Sequence, residues 1–170
     1  MVQIGNIHFG KAQTAVEPTI SIMEAGMLWD LTTARYKCLE ETRIYHSFAH
    51  DEELKAMLAY GIRFLEDQVN VLEKQMSLYR IPMPYQPPKS VNRAENDMVF
   101  NDSFIFAQVF DGCQIFIDQI ARVSRCILTN DPLRHIMVDF LTSELSLFDK
   151  LVKFAKVKGW LQVTPVFKPE

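Results

Sequence analysis

Glycine is scarce in this 170-residue sequence, at 6, and the 8 prolines fall outside its long periodic segments. That supply of turn-formers is too small for a turn-dense β architecture and suits a chain dominated by long helices. Cysteine is nearly as sparse: Cys38, Cys113 and Cys126 are odd in number and far apart. They offer neither a disulfide framework nor Cys-x-x-Cys metal spacing, and read as buried free thiols. Positive charge is also in short supply. With 18 Lys and Arg against 21 Asp and Glu, net charge -3, the chain has no basic footprint to neutralise phosphates, and nucleic acid is not expected as a partner. No uncharged apolar run is long enough to cross a bilayer, so no membrane is expected. Met1 to Lys11 lacks the basic start, apolar stretch and small-residue cleavage site of a secretory signal, so the chain reads as cytoplasmic at synthesis.

The length fits one domain with a real core. Residues 1–19 carry no clear period and read as an extended arm ending near Pro18. Ser21-Ile-Met-Glu24 has capping-box spacing and opens a helix over about 21–49, on which Met27, Leu31, Ala34, Cys38, Tyr45 and Phe48 form one stripe. Glu41 falls on that stripe. Asp51-Glu52-Glu53 places three acids at the positive end of a second helix dipole, over about 51–79, with Leu54, Leu58, Leu65, Leu72 and Tyr79 as its core line and Gln68 among them. Asp102 opens a third helix, about 101–127. Its seam of Phe106, Val109, Cys113, Phe116, Ile120, Val123 and Ile127 opposes a wet face of Asp111, Gln114, Asp118, Arg122 and Arg125. Asp131-Pro132 reads as a cap followed by a first-turn proline, starting a fourth helix over 132–158 that stops at Gly159. Its apolar arc runs from Leu133 through Phe140, Leu141, Leu145, Phe148 and Leu151 to Ala155, and 160–170 should pack as an extended tail anchored by Trp160.

The connections set the layout. Helices one and two, and three and four, are joined by short links and must be antiparallel neighbours. Between the pairs lies Arg80 to Asp97, beginning Arg80-Ile81-Pro82-Met83-Pro84-Tyr85-Gln86-Pro87-Pro88. Extended at about 3.1 Å per residue, it reaches roughly 55 Å, more than the ~40 Å length of such a helix. An all-α, ferritin-like four-helix bundle with a long crossover between helices 2 and 3, covering 20–159, is therefore expected; an up-down bundle with a looping connector is the alternative.

A ferritin-like di-metal site needs Glu-x-x-His pairs, and no Glu in the chain has a His three residues later. Nor is there a Gly-rich phosphate loop or a nucleophile motif, so no catalytic residue, cofactor or enzymatic activity is expected. His46 and His50 have helical ligand spacing, but His50 sits where the chain turns. The exception to the inert core is Glu144, inside the fourth helix's apolar arc, where a carboxylate must be protonated, paired or bound to a cation. Its expected partners in a buried polar layer are Glu41, Tyr45, Gln68, Cys113 and Ser124. Such a layer would fix helix register, or be a degenerate metal site with Glu144 and Glu41 as ligands for iron or manganese. A third reading is a small-ligand cavity where Ala34, Gly61 and Cys113 meet.

Glu24-Ala-Gly-Met-Leu28-Trp29, Asp51-Glu-Glu-Leu-Lys55, Ile81-Pro-Met-Pro84 and Lys158-Gly159-Trp160 with its proline-bearing tail form a pattern across Ile20 to Pro169. In these segments the chain resembles an uncharacterised family of spore-forming bacilli related to spore coat protein F and its ferritin-like relatives. The resemblance implies a non-enzymatic structural or assembly role in sporulation and the spore coat, with other coat proteins as partners. Relatives of that kind duplicate the bundle within one chain, which implies a homodimer for a single copy.

Overall fold

The computed structural model describes residues 2–4, 7–9, 19–88 and 100–163. Four helices carry the fold: α1 (Ile22–Phe48), α2 (Glu52–Leu78), α3 (Asp102–Cys126) and α4 (Asp131–Lys158). Ahead of them, β1 (Val2–Ile4) and β2 (Ile7–Phe9) pair antiparallel in the register Val2↔Phe9, Gln3↔His8, Ile4↔Ile7. The expected extended arm thus contains a hairpin. Its signal was Gly5-Asn6, a turn dipeptide between two short apolar-polar-apolar runs. The rest of the arm up to residue 18, residues 89–99 of the connector and the tail from 164 lie outside the described residues.

Core membership fixes the path of the chain. One cluster joins Leu28 and Leu31, early in α1, to Leu72 and Met76, late in α2, and to Phe116, Ile120, Val123, Leu133 and Met137 around the α3–α4 turn. At the other end Ala49, Leu54 and Leu58 pack with Ile105, Phe106, Leu151 and Ala155. So α2 ends where α3 also ends, and the connector must cross the full length of the bundle. Its first stretch lies in the groove between α1 and α2. Gln86 Nε2 donates to Tyr36 Oη and to Glu73 Oε1, each at 3.2 Å, and Arg43 Nη1, two turns further on, donates to the Pro88 carbonyl at 3.2 Å. Glu73 and Glu66 serve this strap: Tyr36 Oη donates to Glu73 at 2.7 Å and Arg43 pairs with Glu66 at 2.8 Å.

The helix ends show why these boundaries form, and they do more than cap. Ser21 and Glu24 make the capping box, Asn101 caps α3 by accepting from Phe104 N, Asn130 caps α4 by accepting from Leu133 N, and Gly159 closes α4 at φ 69. Asp131, expected as the cap of α4, is instead a first-turn residue, as is Asp102, which opens α3 as expected. The preceding asparagines take the orphan amides. This frees the Asp102 carboxylate to accept from His50 N at 2.7 Å and Asp51 N at 3.1 Å, tying the α1–α2 turn to α3. Lys158, reaching Asp51 and Glu53 at 2.6 Å each, adds the end of α4 to the same junction.

At the opposite end Asn130 Nδ2 donates to Tyr79 Oη at 2.7 Å and to the Thr19 carbonyl at 3.0 Å, while Thr129 donates to both oxygens of Glu24. Burial disfavours the ionised Glu24, but the Ser21 and Thr129 donors prevail and hold its carboxyl below the usual 4.5. The stability this contributes is present above that value and disappears as pH falls through the lowered folded-state pKa. Glu24→Gln is expected to destabilise by about 1–2 kcal/mol at pH 7. Its deficit should shrink as pH falls below 4.5 and through the lowered folded-state pKa, measured as urea midpoints across pH.

Two sequence readings of the core need correction. The buried stripe of α1 is Leu28, Leu31, Thr32, Arg35, Leu39 and Thr42, whereas Met27, Ala34, Cys38, Glu41, Tyr45 and Phe48 flank it half-buried. On α4, Leu145 is 50% exposed, so the core-facing arc is narrower than its hydrophobic count suggests. Helix α3 does prove long and apolar enough to cross a membrane by length and composition. However, its seam is buried in the bundle, and Asp111, Asp118, Arg122 and Arg125 all lie on its outer face.

Candidate functional site: a buried ion pair beneath an interhelical cavity

Glu144 is 1% exposed, and the group against its Oε1 is the guanidinium of Arg35, itself 3% exposed. Arg35 belongs to the true inner stripe of α1, so the helix phase that buries Leu28 and Leu31 also carries a cation into the core at the level of Glu144. Its Cζ sits 3.1 Å from the centroid of the Phe116 ring, whose π face accepts the charge. Burial pulls the guanidinium down to about 9, with the neighbouring Cys38 and Cys113 opposing. It is still cationic at neutral pH, and the adjoining carboxylate favours that form further.

Two thiols flank the pair. Cys113 Sγ donates to Glu144 Oε2 at 3.7 Å, and burial pushes this thiol up to about 11 against the lowering influence of Arg35. Cys38 is likewise raised by burial. Both are protonated at neutral pH, the opposite of an activated nucleophile. Cys38 and Cys126 are half-buried, so only Cys113 is fully buried as expected.

Over the pair lies a cavity of about 70 Å³ among the four helices. Leu58, Leu65, Leu147 and Leu151 form apolar walls, Gly61 and Gly112 contribute bare backbone, and Glu41, Tyr45 and Gln108 stand at a half-open rim. The expected polar layer therefore separates into parts. Glu144 and Cys113 do meet at its floor. Glu41 is 45% exposed and faces Lys37 at 3.7 Å, and Tyr45 packs edge-on against Phe100. Gln68 is buried but donates to Ser143 Oγ at 3.4 Å rather than to Glu144, and Ser124 bonds back to the Ile120 carbonyl. The expected cavity forms at Gly61 and Cys113, while Ala34 is not among its lining residues. His46 is in the last turn of α1 and His50 lies beyond its cap, so the pair shares no helix face. Among the described residues no group of three or more His, Cys, Asp or Glu side chains is placed to hold a metal ion.

The sequence matches, over residues 9–170, the family described as "Protein of unknown function (DUF3231)". The chain belongs to that family. Among solved structures, this DUF3231 chain is similar to that of a "putative spore coat protein" from Bacillus halodurans C-125, with a TM-score of 0.81 and 19% identity over 88% of this chain and 96% of the other. At that identity the likeness establishes a shared four-helix fold. The curated proteins hold no match.

Proposed function

We propose that the chain is a non-enzymatic structural or assembly protein of the spore coat, a stable ferritin-like bundle that self-associates as a homodimer and contacts other coat proteins. The observation that carries this reading is the Arg35–Glu144 pair. Where a ferritin-like oxidase would present its central carboxylates to metal, here an internal guanidinium neutralises the buried carboxylate. The coat setting is supported by the shared fold with the Bacillus halodurans protein. The alternative, iron or manganese held by Glu144 and Glu41, has one ligand committed to Arg35 and the other turned toward Lys37 at the rim.

One preparation made without chelator tests both readings. The protein should carry less than a tenth of an equivalent of iron or manganese, light scattering should return twice 19.7 kDa, and antibody should label the coat of the host's spores. Stoichiometric metal that is lost in Glu144→Gln would overturn the structural reading, as would labelling confined to vegetative cytoplasm. A mass of 19.7 kDa would remove the dimer.

A further inference from the structure

The cavity above the ion pair combines observations that an inert building block does not require. Glycine within a helix is unfavourable, yet two of its lining residues are helical glycines at which side-chain volume could be added. A Cβ at Gly112 meets no atom within 4 Å, and one at Gly61 meets only the Thr42 methyl at 4.0 Å. Arg35, 3% exposed, lines the same space; its Nε has no oxygen or nitrogen acceptor, and the guanidinium has the weak sulfur acceptors of Cys38 and Cys113 as neighbours. A buried donor left this way is unfavourable unless something else accepts from it.

We propose that this cavity is a binding site for a small uncharged molecule with one carbonyl-type oxygen and a short apolar body. The oxygen accepts from the Arg35 guanidinium, and the body lies against Leu58, Val109, Leu147 and Leu151. The volume holds about five water-sized groups at roughly 10–15 Å³ each, which sets the ligand near five non-hydrogen atoms. Charge balance selects against ions: Arg35 and Glu144 already neutralise each other and both flanking thiols are protonated, so a bound anion or cation would have no counter-charge left to pair with. This site is independent of the assembly role and could operate in a monomer or a dimer.

Butan-2-one is the probe, titrated against the full chain and followed by amide chemical shifts. A saturable response with a Kd of about 1 mM, centred on Gly61, Gly112 and Cys113, is expected for a ligand this small. Gly112→Val, which fills the space, should weaken it at least tenfold with the helical spectrum unchanged. The paired replacement Arg35→Met with Glu144→Leu removes the donor without stranding a charge; it should weaken butan-2-one tenfold while leaving the oxygen-free isostere 2-methylbut-1-ene within threefold. No saturable response in the parent protein overturns the proposal, as does binding that survives Gly112→Val. Ketone affinity undiminished in the paired variant overturns the role of Arg35.

Discussion

Arg35→Ala, or Glu144→Ala, is expected to lower the unfolding free energy by about 3–5 kcal/mol, because each leaves its partner as an uncompensated charge in the core. Both side chains are almost wholly enclosed, at 3% and 1% exposure, so water cannot take over the lost interaction. Arg35→Ala also removes the plane stacked on Phe116, which lies 3.1 Å from its Cζ, and should be the worse of the two. The double replacement Arg35→Met with Glu144→Leu should recover nearly all of this and could exceed the parent, since apolar groups of similar volume need no desolvation. Urea unfolding of the four proteins measures the coupling directly. A double variant as unstable as either single one would mean that the pair does not stand on its own and that the surrounding packing depends on it.

That pair also marks where the sequence stopped being readable. Glu144 stood out because it interrupts an apolar arc, and the same logic asked for a partner. The α1 stripe that the periodicity suggests offers Glu41 and Tyr45, and the actual partner, Arg35, lies outside it. Met27, Leu31, Ala34, Cys38, Tyr45 and Phe48 repeat at steps of three and four as convincingly as Leu28, Leu31, Leu39 and Thr42 do; the two stripes share Leu31, and Arg35 weighs against the second because a charged residue normally signals solvent. The signal was present in the requirement that a buried Glu144 needs a cation. Among the Lys and Arg residues of α1, Arg35 alone lies in phase with Leu28 and Leu31. By contrast the α3 seam was legible throughout, since six of its seven positions are buried and Val109 lines the cavity. At α4 the cap lies one residue before the expected Asp131, and at α3 the cap is likewise the asparagine that precedes the opening Asp102. There Asn and Asp adjoin, and the choice depends on the Asp102 carboxylate being drawn to the amides of His50 and Asp51, a contact across more than 50 residues of sequence. The cavity followed from small residues, but its rim and the separation of Glu41 from Glu144 depend on helix rotation that no periodicity fixes.

Shortening the connector should have the most drastic effect. Replacing residues 82–99 by a four-residue Gly/Ser loop leaves nine residues between Leu78 and Asp102, too little chain to travel from the end of α2 to the start of α3. Helices of 25 to 28 residues are roughly 40 Å long, while nine residues, fully extended, reach only about 30 Å. The native arrangement, in which α2 and α3 run parallel, is then closed to a single chain. The α1–α2 and α3–α4 hairpins each retain their short turns, so they should pair between two molecules, or expose their apolar faces and aggregate. The expected result is loss of the monomer-closed bundle: a cooperative transition that either disappears or becomes strongly concentration-dependent in thermal melts followed at the helical signal. A milder change, Gln86→Ala with Arg43→Ala, removes the contacts that lay the strap along α1 and α2 without altering its length. It should cost only about 1–2 kcal/mol, because those bonds are at the surface. The difference between the two variants separates what the connector does by length from what it does by contact, and a shortened chain that melts like the parent would show that α3 does not begin at the far end.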